Sequence, residues 1–501
     1  MKSNASDKHG WLLIGAIVAL AAFLRFYHIG SQSFWTDEIL SFGASTAPEG
    51  ISFWKKLLYD VHGPFHTLII HLVRYISESE GFLRAPSALA GTISVLLVYR
   101  WLVRLGRRDI AHYGALLLAV SPFGLYYSQE LRYYSLMMMF ALVSLILYER
   151  FLEEPSYRRG AMLGLALAAA ALSHFSALFL PVGLFVHLLF TRRLRGIYLD
   201  AGLLAALILL FIVSPWIYRE IMFLRGIDIV HISELQVEER LRGELTLNLW
   251  SYPYALYAFS VGYSFGPSLR ELHGVSSATE LLGGYWLEMA VVALLFGGLT
   301  VAGLWKSARK RRLSLFLSIA SVALVLTTLA AALNIKVFNI RYLMVAFPVY
   351  LALLAYALPA ARLPRLLLVT ALCAVMLVSS WNYHTESRYA RDDIRATVSA
   401  IRERETAGDV ILTISAFKVI EYYYDGGNHV HDLNPEWRGE EGTSRLVREH
   451  LSRHERIWYI RCRHWDTDPD DLLLGALRAR AELSNRWSFP GVELFLFARK
   501  S

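Results

Sequence analysis

Cysteine is nearly absent. Only Cys373 and Cys462 occur in 501 residues, one in an apolar stretch and one in a polar tail. A disulfide framework and a cysteine-based metal site are therefore excluded. The chain also lacks a glycine-rich phosphate loop of the nucleotide-binding kind, any internal repeat, any low-complexity segment and any known nucleic-acid-reading motif. No small-residue cleavage site follows the first apolar stretch, which reads as a retained signal-anchor helix rather than a removed leader.

What is present is apolar sequence in long blocks. Hydrophobic residues make up 55% of the chain, in runs of about 20 residues, the length that crosses a bilayer. The spans read as 11–29, 86–104, 110–127, 132–150, 160–173, 175–191, 198–217, 285–304, 314–333, 342–360 and 365–383. The expectation is a polytopic α-helical membrane protein of about eleven helices. Leu172-Ser173-His174 makes so tight a reversal between two spans that it must be buried in protein or line a cavity.

The net charge of +8 raises the question of nucleic acid, but the basic residues sit at span ends, so orientation explains them better. Lys2 and Lys8, Arg104 to Arg108, Arg150 with Arg158-Arg159, Arg192 to Arg195, Lys306 to Arg312 and Arg362 with Arg365 fall on every second gap. That face is cytoplasmic by the positive-inside rule. The alternate gaps hold Asp37-Glu38, His62, Glu130 to Tyr133, His174 and Arg341-Tyr342. The N-terminus is then cytoplasmic and the C-terminus outside.

Domain organisation follows. Residues 1–384 form the membrane domain, with long outer loops at 30–85 and 218–284. Within the first loop, Phe53 to Tyr59 is an aromatic-rich amphipathic piece suited to the headgroup level. In the second, Val230–Glu239 and Tyr252–Leu272 are the stretches expected to shape specificity. Residues 385–501 are densely charged. Helices Arg391–Glu405, Ser444–Ser452 and Leu472–Leu483 alternate with strands Val410–Ile414, Ile457–Arg461 and Val492–Ala498, which predicts a soluble extracytoplasmic α/β domain with a partly parallel sheet.

Each polar cluster has a plain reading and a chemical one. Asp37-Glu38 suits the first turn of a helix, where carboxylates complement the dipole, or supplies a general base. His62-Gly63-Pro64 is a turn before a helix or places His62 on a substrate hydroxyl or phosphate; a metal on His62 and His66 is weakly supported. Glu130 and Arg132 pair with each other, or Arg132 clamps an anion through its planar fork of donors. Arg84, Arg132 and Arg341 stand at outer helix ends against the positive-inside bias, and arginines at membrane depth call for an anionic partner such as a lipid phosphate. His174 is a core histidine or a site residue.

Together Trp35-Thr36-Asp37-Glu38, His62-Gly63-Pro64, Leu83-Arg84-Ala85-Pro86-Ser87, Ser121-Pro122, Tyr127 to Tyr134, Ser173-His174-Phe175 and Arg341-Tyr342 with Pro348 resemble the membrane glycosyltransferases of GT-C fold. The nearest resemblance is to the protein O-mannosyltransferase and aminoarabinose-transferase superfamily of bacteria and archaea. His62-Gly63-Pro64 stands where that family usually has His-Pro-Pro. The resemblance implies a multi-pass protein of a bacterial or archaeal inner membrane. Its activity would be transfer of a single hexose or pentose from a polyprenyl-phosphate-linked donor to a lipid, glycan or protein acceptor outside the cytoplasm. It implies Asp37 as base, with inversion at the anomeric carbon. Glu38, His62, Glu130 and Tyr133 would orient acceptor or sugar, and Arg132, Arg341 and Arg84 would stabilise the departing phosphate. His174 and Tyr342 complete the substrate-binding set. No cofactor is required by this scheme, and a divalent metal stays open. The alternatives are a lipid-sugar transporter or flippase, for which repeats and midplane charges are expected, a block-transferring O-antigen ligase or polymerase, and a binding protein that has lost catalysis.

Overall fold

The computed structural model describes residues 2–46, 52–54, 57, 63–226, 247–274, 278–309, 312–433 and 439–500. The chain divides into two compact units. One comprises Met1–Ile29, Ala44–Pro267 and Ser277–Asn382; the other comprises Gly30–Gly43, Ser268–Ser276 and Tyr383–Ser501.

The first unit is helical. Among the described residues eight helices are long and apolar enough to cross a membrane, and a ninth span arises if one bent pair is counted as one. All eleven expected segments are helical, but two fall short of that test. Tyr157–Ser173 has 17 residues, and Phe175–Phe190 is a shorter apolar helix. His174 separates them, in extended backbone at φ −160° and ψ 137°.

Exposure follows the solvent. Phe347–Ala357 is apolar all round and buried along its whole length, as a central helix must be. Phe211 and Leu294 are 84% and 79% exposed, an arrangement that lipid tolerates and water does not.

The bent pair shows how sequence dictates a break. Arg108–Val120 and Pro122–Ser128 meet at 55°. Pro122 has no N–H to return to the carbonyl of Leu118, and Ser121 caps the new helix by accepting from the Gly124 N–H at 3.1 Å. The carbonyls released are met by Arg25, which is fully buried. Its guanidinium donates to Leu118 at 2.9 Å and to Ala119 at 3.0 Å. Gln129 answers from the other side, donating to the carbonyls of Arg25 at 3.1 Å and Tyr27 at 2.8 Å. A charge at this depth is tolerated because the carbonyls of Ala21, Leu118 and Ala119 accept from it in place of water.

Small residues let two helices approach closely. A Cβ on Gly160 would lie 2.2 Å from the carbonyl oxygen of Ala201, and one on Gly164 would lie 2.5 Å from that of Ala205. This small-residue seam between Tyr157–Ser173 and Ile197–Gly226 is how membrane helices pack without a hydrophobic drive between them.

The second unit holds a five-stranded sheet: β1 (Val410–Thr413), β2 (His429–Asp432), β3 (Arg456–Cys462), β4 (Ala481–Phe489) and β5 (Val492–Arg499), in the order β2-β1-β3-β5-β4. β1 runs parallel to β2 and β3, while β5 is antiparallel to β3 and to β4. The mixed sheet matches the expectation of a partly parallel one. On one face Val410, Leu412, Ile457, Tyr459, Phe495 and Phe497 pack with Leu446, Val447, Leu473 and Leu477 of the flanking helices. Alternate residues point the other way, and Ile411, Trp458 and Ile460 are buried there too. Two strands were not expected. β2 is four residues long, and β4 replaces the end of the expected helix Leu472–Leu483, which stops at Arg480.

Candidate active site

In the helical unit the polar cluster around Arg132, His174 and Arg341 converges on three tyrosines. Tyr133 and Tyr134 open the helix Tyr134–Glu153, and Tyr342 lies in the 3-10 turn Ile340–Ala346, whose first turn is capped by Asn339 accepting from the Arg341 N–H at 3.1 Å. The His174 ring stacks between two of them, 4.6 Å from Tyr133 and 5.7 Å from Tyr342, with interplanar angles of 24° and 12°. Its Nδ1 accepts from the Ser176 N–H at 3.2 Å, so the neutral ring carries its proton on Nε2. His174 forms the turn between two helices and stacks on both rings.

Two guanidinium groups flank these rings. Arg132 lies 4.5 Å over Tyr133 and 6.0 Å over Tyr134, and its Nη2 donates to the Tyr133 hydroxyl at 2.6 Å. Arg341 lies 5.7 Å over Tyr134 and 5.6 Å over Tyr342. Both cations thus share the ring of Tyr134. Such faces hold guanidinium groups by cation–π attraction, and two like charges over one ring are a place for an anion. Glu130 is buried at the same turn. Ser87 donates to the Arg132 carbonyl at 2.9 Å, tying the turn to the helix Glu80–Arg104. Arg84 donates to the Ile29 carbonyl at 3.0 Å and is buried, so it pins the end of the first helix.

The loop 218–284 reaches this cluster through Tyr263, whose hydroxyl is 2.9 Å from that of Tyr127. Val230–Glu239 and His62 lie outside the described residues. Gly63 is described, and it accounts for the missing proline: any Cβ there would sit 2.1 Å from the carbonyl oxygen of Leu172. The backbone before helix Pro64–Arg74 thus lies against the reversal that ends in His174. His66 meets Tyr133 edge-on at 6.0 Å.

Asp37 and Glu38 occupy the first turn of the helix Thr36–Ser45 in the other unit, as the dipole reading expects. They differ in environment. Glu38 is fully buried and its Oε2 accepts from Arg391 at 2.8 Å. Asp37 is half-buried. Arg391 was not singled out from the sequence, because a partner 353 residues away leaves no local pattern. Arg25 and Asn339 escaped for the same kind of reason, since each acts on backbone rather than on a side chain. Among the described residues no three of His, Cys, Asp or Glu come together as a metal site would need.

Comparison with known proteins bears on the fold. Residues 61–218 match the family described as dolichyl-phosphate-mannose-protein mannosyltransferase. The structure of ArnT from Cupriavidus metallidurans bound to undecaprenyl phosphate is similar at a TM-score of 0.58 and 14% identity, over 97% of this chain and 98% of that one. The chain has the GT-C fold. Two further GT-C relatives in structure are forms of the Archaeoglobus fulgidus oligosaccharyltransferase. The complex with Zn and sulfate has a TM-score of 0.52 at 12% identity, over 97% of this GT-C chain and 73% of that one. The form tethered to an acceptor peptide has a TM-score of 0.53 at 11% identity, over 98% and 74%. No curated protein sequence matches the chain.

Proposed function

We propose that this GT-C protein transfers one sugar from a polyprenyl-phosphate donor to an acceptor hydroxyl on the extracytoplasmic side of the membrane. The observation that carries the reading is the pair of guanidinium groups of Arg132 and Arg341 over the shared ring of Tyr134, built into a helical unit of GT-C fold. A polyprenyl chain partitions into the bilayer and delivers its phosphate at the depth of helix ends. The match to a dolichyl-phosphate-mannose family and the likeness to an undecaprenyl-phosphate-bound neighbour support that donor class.

In the proposed reaction Asp37 takes the proton of the acceptor hydroxyl as its oxygen attacks the anomeric carbon. The bond from that carbon to the donor phosphate oxygen breaks, and in-line attack inverts the configuration. Arg132 and Arg341 stabilise the polyprenyl phosphate that leaves, the kind of fixed charge that contributes most where charge develops. His174 and Tyr342 would line the sugar, with Glu130, Tyr133 and His62 orienting it and Arg84 holding the helix end. Glu38, paired with Arg391, serves the segment rather than the substrate. No step is routed through a metal.

The test is transfer of radiolabelled sugar from a panel of polyprenyl-phosphate sugars in membranes, wild type against Asp37→Asn. Consumption of one donor, lost in Asp37→Asn, is expected. Unchanged consumption in the variant would remove Asp37 as base, and no turnover of any donor with every acceptor class supplied would overturn the activity.

A further inference from the structure

The segment Gly30–Gly43, which carries Asp37, clusters with residues 383–501 in one compact unit. Its attachments there are dense and start at its first residues. Arg395 donates to the Ser31 carbonyl at 2.6 Å. Gln32 Oε1 accepts from the Arg391 N–H at 3.0 Å, and the Ser33 hydroxyl donates to the Asp392 carbonyl at 2.8 Å. The Phe34 N–H donates to the Tyr423 hydroxyl at 2.7 Å, and Arg463 lies 5.1 Å over the Trp35 ring. One residue past Asp37, Glu38 is 0% exposed against an Arg391 side chain that is 6% exposed. A dipole-complementing carboxylate needs no such partner, whereas a buried pair fixes geometry when both members are held.

We infer that the C-terminal domain is a working part of the transfer apparatus: it clamps the carboxylate segment, with Arg391 as the positioning residue that orients Asp37 by holding Glu38. This deepens, and rests on, the reading of Asp37 as the base. Sequence alone presents the tail as an appended module. The contacts instead make it the scaffold on which residues 31–38 are laid down. A base displaced by about 1 Å loses on the order of a hundredfold in rate, so the clamp acts on turnover rather than on donor affinity.

The test uses the full-length protein in nanodiscs, comparing wild type, Arg391→Met, Arg391→Lys and Asp37→Asn by two readouts. One is amide hydrogen exchange of residues 33–39 against strands β1, β3 and β5; the other is initial transfer rate against donor concentration. Arg391→Met is expected to speed exchange in residues 33–39 by roughly tenfold or more while the strands stay protected, as local opening allows. It should lower kcat by about a hundredfold with donor KM within about twofold, and Arg391→Lys should recover most of both. Unchanged exchange in 33–39 overturns the clamp whatever the activity. Loosened exchange with unchanged kcat overturns the positioning role. Full transfer by Asp37→Asn, or none by wild type, sinks the reading of Asp37 as base, and the exchange result still decides the clamp by itself. If Arg391→Met exposes the strands as well, Tyr423→Phe replaces it. Removing only the hydroxyl that holds the Phe34 N–H should loosen 33–39 and lower kcat several-fold, and no change in either counts against the proposal.

Discussion

At the scale of single residues, the decisive chemistry is how each cation is held. Arg132 and Arg341 both lie over aromatic faces, and Arg132 also donates to the Tyr133 hydroxyl. Arg132→Gln or Arg341→Gln is expected to lower kcat for sugar transfer by about 10²–10³-fold, the usual cost of losing one preorganised donor, with unaltered yield of folded protein in size-exclusion chromatography. Arg25 is the opposite case, a cation spent on backbone. Arg25→Met takes the guanidinium from the carbonyls of Leu118 and Ala119 at the Pro122 break, of which Leu118 keeps a longer bond from the Ser121 N–H, and thermal unfolding in detergent should show a loss of about 1–3 kcal/mol, the typical cost of one buried unsatisfied group. In the C-terminal domain, burial pushes the Glu493 carboxyl up, but the bond from Arg486 and the nearby Arg461 outweigh it and hold the carboxyl below its ordinary value of 4.5. A lowered carboxyl stabilises the fold above its unfolded value, and that contribution is lost as pH falls below about 4.5. Glu493→Gln should therefore flatten the fall of melting temperature with acid. Asp468, pushed up by burial, works in the reverse sense and offsets part of that slope.

At the scale of elements, the contrast is between helices set by their own composition and elements set by their neighbours. The membrane spans were legible because length and apolarity alone decide what crosses lipid. Arg132 and Arg341 stand out in the sequence because they break the expected alternation of charge, and the structure brings both over one ring. β4 was not, since it forms the sheet edge and most of its residues are exposed, leaving no alternation of apolar and polar residues to read. The division of the chain was hidden as well. Gly30–Gly43 follows a membrane helix by sequence, and pairing with residues as distant as Arg391, Arg395 and Tyr423 goes with its place in the unit of the tail. The Gly160–Gly164 seam gives a direct check of packing. Gly164→Leu places a branched side chain where a Cβ already meets backbone at 2.5 Å, and overpacking of about 1–3 kcal/mol should appear as a lower melting temperature, with Gly164→Ala milder.

At the scale of the whole molecule, parity of crossing decides on which side the chemistry lies. Nine or eleven crossings put the C-terminus opposite the N-terminus, whereas eight would return it to the same face. The positive-inside pattern of the basic gaps predicts the first arrangement. A phosphatase reporter fused after Ser501 should be active only outside the cytoplasm, and activity of a cytoplasmic reporter there would reverse the assignment. The pairing of Glu38 with Arg391 has one more consequence, in time rather than space. The ribosome releases Glu38 353 residues before its partner, an interval of roughly 20–70 s at ordinary elongation rates. Through that interval the first carboxylates have nothing to settle on, and they acquire their final place only as the last quarter of the chain emerges. A chain cut short by a premature stop would keep its membrane helices and the Arg132 and Arg341 cluster yet lack the partner that seats Glu38, so under the proposed reaction partial products of synthesis would be silent rather than unregulated.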